Sequence, residues 1–101
     1  MARQAESNFK DRVRKDLQKL SKIWFSKIQQ VSIRGVPDFL VCYCGVFIAI
    51  ELKKDGKASI EELQRYNVAS IRAAGGMAFI STPESWPQDY ELIKALTSLR
   101  A

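Results

Sequence analysis

Asp38, Glu51, Lys53, Gln64 and Glu6 are the side chains whose types and spacing point to chemistry in this sequence. There is no histidine, so acid–base or metal chemistry must rest on carboxylates, Lys or Tyr. Carboxylate oxygens favour hard ions such as Mg2+ or Mn2+. Residues 38–43 and 46–53 are rich in aromatic and β-branched residues and flank Cys44-Gly45, which predicts a hairpin. If Cys44-Gly45 is a two-residue turn, Asp38 lies directly opposite Glu51, with Cβ atoms roughly 4.5–5.5 Å apart. Two like charges so placed repel, and a divalent cation bound by both removes the repulsion. Lys53 stands two residues beyond Glu51 and on the same face. A Lys there positions a water or steadies charge on a phosphate. Taken singly, each residue reads as a solvated charge at a frayed strand end; taken as a set, they do not.

The elements that must hold these groups follow from periodicity. Phe9, Val13, Leu17 and Leu20 recur at helical spacing, predicting a helix over residues 5–20. Glu6 falls on the same stripe. It is either a first-turn acid favoured by the helix dipole or a further carboxylate directed at a metal. A strand is expected over 23–31, and Arg34-Gly35-Val36-Pro37 is a turn signal. Ser59, with Glu62 three residues on, predicts a capping box and a helix to about Ala74, ended by Gly75-Gly76. On that helix Gln64 falls inside the apolar arc with Ile60, Leu63, Asn67 and Ile71. It needs hydrogen-bond partners there, whether as an ordinary core amide or beside a catalytic Lys, a water or a phosphate. A strand at 77–81, a break at 83–87 and a helix over 88–99, with Leu92, Leu96 and Leu99 inward, complete the chain. The expected fold is α/β, in the order αβββαβα: a mixed sheet with helices packed on it.

Gly35-Val36-Pro37-Asp38, Ile50-Glu51-Leu52-Lys53, Gln64 and Gly75-Gly76 together resemble the VRR-NUC nucleases of the PD-(D/E)xK superfamily. The resemblance runs by motif from about Arg34 to Gly76, with 12 residues between Asp38 and Glu51, and by layout to the chain ends. It implies a restriction-endonuclease-like core and a metal-dependent deoxyribonuclease. Asp38, Glu51 and the backbone carbonyl of Leu52 would hold Mg2+ or Mn2+, and Lys53 would orient or activate the attacking water, supported by Gln64. Glu6 would match the family's acidic residue on the first helix. Stand-alone chains of this kind, common in phages and prophages, are similar to Holliday-junction resolvases and act as homodimers on branched DNA.

Charge agrees with a polyanionic partner. Of a net +5, residues 1–35 hold nine Lys/Arg and three Asp/Glu, and residues 36–101 hold seven and eight. The excess is therefore confined to the first third, where a solvated basic helix is the plain alternative to a nucleic-acid face. Arg12, Arg14, Lys15 and Lys19 are the expected phosphate contacts, with Arg34 beside the site. The 101 residues suit one domain, residues 1–101. No apolar run is long enough for a membrane span, and the polar start argues against a signal peptide, so the cytoplasm of a bacterial or phage-infected cell is expected. Cys42 and Cys44 are read as small strand residues. A homodimer is expected from the two cuts a junction requires, and because Trp24, Phe25, Trp86 and Tyr90 do not all fit one core. The competing class is a non-catalytic basic DNA-binding protein or a structural subunit of a phage or repair complex. Neither needs opposed carboxylates.

Overall fold

The computed structural model describes residues 2–28 and 35–96, with side chains from residue 8 onward. Its elements run α1 (Ala2–Gln18), β1 (Ile23–Lys27), β2 (Phe39–Tyr43), β3 (Val46–Leu52), α2 (Glu62–Ala73), β4 (Met77–Ser81) and α3 (Trp86–Lys94). This is the expected αβββαβα order. The sheet is mixed: β1, β2 and β3 pair antiparallel, and β4 joins β3 in parallel after the α2 crossover. No helix among the described residues is long and apolar enough to cross a membrane.

The period-two side-chain pattern divides the sheet into two unlike faces. Phe39, Val41 and Tyr43 of β2 and Ile48, Ile50 and Leu52 of β3 face one way, into the main core. Phe9, Val13 and Leu17 of α1, with Trp86 and Ile93 of α3, close that side. On the opposite face Ala49 and Ala78 are small, and Val68 and Ile71 of α2 pack on them beside Leu40 and Ile80.

The hairpin turn sets the register. Cys44 (φ 54) and Gly45 (φ 78) both lie in the left-handed region, as a two-residue type I′ turn requires. Phe39 therefore pairs with Ile50 and Tyr43 with Val46, the register expected from the sequence. Cys44 is thus a turn residue rather than a strand residue. Gly35 has φ +79, and a Cβ built there would sit 2.7 Å from Leu63 Cγ. Its carbonyl accepts a 2.7 Å hydrogen bond from Asn67 Nδ2, which ties the segment before Asp38 to α2.

Several local expectations need correction. The α2 N-cap is Glu61, with Gln64 completing the box; Ser59 and Glu62 do not form it. The last helix opens at Trp86 with Pro87 in its first turn, where a missing N–H costs no hydrogen bond. The expected break at 83–87 therefore ends sooner. Leu92 is 51% exposed and Ile93 is fully buried in its place. Trp86 is also fully buried, and Phe25 packs on Phe39. Of the four aromatics expected to exceed one core, Trp24 is the one left largely exposed, at 63%. The end of the strand expected to residue 31, Arg34, Leu99 and the side chain of Glu6 lie outside the described residues.

Candidate active site

Asp38 stands immediately before β2 and Glu51 is the penultimate residue of β3, so continuing the observed register places them opposite one another. Asp38 is held on three sides. Its backbone carbonyl accepts the Ile28 N–H at 2.7 Å. Its Oδ2 accepts the Leu52 N–H at 2.7 Å, and Lys10 Nζ lies 3.7 Å from Oδ1. Glu51 is 8% exposed. Its Oε2 accepts a 2.7 Å hydrogen bond from Gln64 Nε2 and lies 3.7 Å from Lys53 Nζ. The Gln64 side-chain oxygen in turn accepts the Glu61 N–H at 3.1 Å. Turning that amide over would set oxygen against carboxylate and nitrogen against N–H, so both contacts demand one orientation. The start of α2 thereby fixes the Glu51 rotamer.

Burial pushes the Glu51 carboxyl up to about 7, with the negative charge of Asp38 acting in the same sense and Lys53 and Lys10 opposing it. A carboxyl half-protonated near neutrality, beside a second carboxylate, is a site short of positive charge. The two side chains front a cleft of about 70 Å3 lined also by Phe9, Lys10, Leu52 and Lys53. Two oxygen donors of this kind fit a hard divalent cation, which would take the place of the proton. Among the described residues no group of three or more His, Cys, Asp and Glu side chains suited to a metal is present. Among the described residues, the carboxylates brought together here are the pair Asp38 and Glu51.

Asp38, Glu51, Lys53 and Gln64, picked out from the sequence, thus converge, and Leu52 joins them through its N–H. The basic residues of α1 line two grooves. Asp11 divides them: Arg14 lies on the flank with Lys10, whereas Arg12, Lys15 and Lys19 line a separate groove with Asp16. Lys10 is the residue that sequence reasoning misses. It follows Glu6 by four positions, about 40° round at 100° per residue, so it borders the apolar stripe and is half-buried with its charge at the cleft. Comparison of the chain with protein-family models, with curated proteins and with solved structures finds no match.

Proposed function

We propose that this protein is a metal-dependent deoxyribonuclease that hydrolyses phosphodiester bonds, on branched or four-way-junction DNA, in the manner of the VRR-NUC enzymes its motifs resemble. One observation carries the reading: two carboxylates opposed at the end of a hairpin, one of them buried and raised in pKa, with Lys53 and Gln64 directed at the same oxygen. A purely structural strand end gains nothing from that arrangement, and neither does a simple DNA-binding surface.

In this reading Asp38 and Glu51 hold Mg2+ or Mn2+, with the Leu52 carbonyl as the backbone donor that the resemblance implies. When bound, the ion supplies positive charge that acidifies water and offsets charge on a phosphate oxygen. The chain's own groups do the rest. Gln64 keeps Glu51 in one rotamer, so its oxygens are preorganised. Lys53 donates a hydrogen bond to the attacking water or to a non-bridging phosphate oxygen, where negative charge grows in the transition state. The attacking water gives up a proton to solvent as its oxygen bonds to phosphorus, the bond from phosphorus to one deoxyribose oxygen breaks, and that oxygen takes a proton from solvent. Lys10, 3.7 Å from Asp38, lines the same cleft and meets the incoming phosphate.

Labelled four-way junction, flap and linear duplex, incubated with and without Mg2+ or Mn2+, provide the test. Cleavage that depends on the ion and is fastest on the junction is expected; intact DNA with every ion would overturn the reading. A homodimer is part of the same proposal, since two opposed strands need two sites. Trp24 pairs across the sheet with Cys42, which pairs with Phe47, and all three are exposed. Light scattering at micromolar concentration should give about twice 11.5 kDa. A single-chain mass that persists after junction DNA is added would favour a nicking or flap-cutting enzyme.

A further inference from the structure

Two grooves flank the basic helix α1, and they differ in what their charges are already doing. The first, of about 280 Å3, lies between α1 and β1 and is lined by Asn8, Lys10, Asp11, Arg14 and Lys27. Lys10 also lines the carboxylate cleft, so groove and cleft share a wall. Three cations stand there against the single anion Asp11. The Asp11 carboxylate lies 2.9 Å from Arg14 and 3.8 Å from Lys15, and its side chain is exposed. Its pKa is held down by the hydrogen bond and charge of Arg14, with Lys15 and Lys27 adding to the effect. An exposed pair of this kind is weak, so a phosphate can displace it.

The second groove, lined by Arg12, Lys15 and Lys19, sets three cations against Asp11 and Asp16. Asp16 cannot move aside. Its Oδ2 accepts the buried Trp86 Nε1–H at 2.9 Å, and its backbone carbonyl accepts the Tyr90 hydroxyl at 2.8 Å. Lys19 is paired with it at 3.2 Å, and Arg12 donates to the Pro83 carbonyl at 3.5 Å. A phosphate placed there meets a negative charge anchored to the core.

We infer that the DNA strand leaving the carboxylate cleft runs along the groove between α1 and β1, with its phosphates held by Lys10, Arg14 and Lys27. Arg12, Lys15 and Lys19 lie off that path. The inference rests on the nuclease reading for the kind of ligand, but its geometry concerns binding alone. Arg14 presents a planar fork suited to two phosphate oxygens, and Lys27, exposed on β1, supplies a point charge on the opposite wall.

The test is anisotropy of labelled junction DNA in EDTA, where no cleavage occurs, between about 50 and 200 mM salt. Removing one cation that neutralises a phosphate lowers the slope of log K against log salt by about 0.9. Arg14→Ala with Lys27→Ala should therefore flatten the slope by about 1.8, and Lys15→Ala with Lys19→Ala by less than about 0.5. Arg14→Lys with Lys27→Arg, which keeps both charges, should retain the wild-type slope and guards against an effect of misfolding. The reverse ranking of the two alanine pairs, or an equal effect from both, overturns the path while leaving the nuclease reading intact. If the two alanine pairs rank as expected but the wild-type protein cuts nothing with Mg2+ or Mn2+, the nuclease reading is overturned and the path stands as a binding track.

Discussion

Alternate residues of β3 carry opposite duties. Ile48 and Ile50 point into the core beneath α1 and α3 and are fully buried. Ala49 and Glu51 point to the other face, where small residues let α2 approach and Glu51 meets Gln64. The first pair is optimised for burial, at roughly 1.5–3 kcal/mol for each large apolar side chain. The second ends in a carboxylate that burial and a like charge both disfavour. The bulky face supplies the stability against which the carboxylate pair is tolerated. Core burial and the candidate site are thus separated by side-chain parity within a single strand, and changes to neighbouring residues should have opposite signs.

Glu51→Gln should break the comparison most sharply. It removes a proposed ion donor without changing shape, so cleavage should fall below detection, by more than about 10³-fold, while junction binding in EDTA persists. Wild-type-like cutting would sink the assignment. The same change should stabilise the ion-free protein at alkaline pH. The folded Glu51 pKa of about 7 lies above its ordinary 4.5, so between those values the folded state holds the proton more tightly than the unfolded state. That contribution is complete below about pH 4.5 and is lost as pH rises through 7. With allowance for solvent at the cleft mouth, it is worth on the order of 1–2 kcal/mol. At pH 8 the variant should melt on the order of 5–10 °C higher than wild type, and near pH 4.5 the difference should vanish. Scanning calorimetry in EDTA reads both.

Lys53→Ala should come next, with a single-turnover rate lower by roughly 10²-fold or more and little change in DNA affinity, as for a group acting in the transition state. An unchanged rate would count against its role. Ile50→Ala tests the other parity. It should lower stability by about 2–5 kcal/mol, measured by urea unfolding, yet leave the cleavage rate of the remaining folded protein within a few-fold of wild type at low temperature. A selective drop in rate with stability unchanged would mean that core and site are not separable in this way.

The sequence holds most of this arrangement because its strongest signals are local and periodic. The alternation along residues 39–43 and 46–52 and the turn residues between them set the register, and the register alone opposes Asp38 to Glu51. The cap of α2 is harder to read because Ser59 is the commoner cap type, whereas Glu61 and Gln64 form the box beside the cleft. Lys10 escapes notice because its partner Asp38 is 28 positions away, a pairing fixed only once α1 packs on the sheet. The same holds for the division of the basic helix, which depends on Trp86 anchoring Asp16 from α3. Periodicity also puts Leu92 on the wrong side, since the start of α3 at Trp86 turns Ile93 inward instead.

The two left-handed residues Cys44 and Gly45 sit some 20 Å along the hairpin from the carboxylates, at about 3.3 Å per residue. They act as the index mark from which both strands are counted. A single residue inserted between them must either bulge out locally or slide one strand past the other, and a slide of one position exchanges inward for outward side chains along its length. Glu51 would then no longer face Asp38, although no residue of the cleft had been altered. Length changes at the hairpin tip are therefore changes to the candidate site made from the far end of the hairpin. A tip of fixed length should be as necessary to the chemistry as the carboxylates themselves.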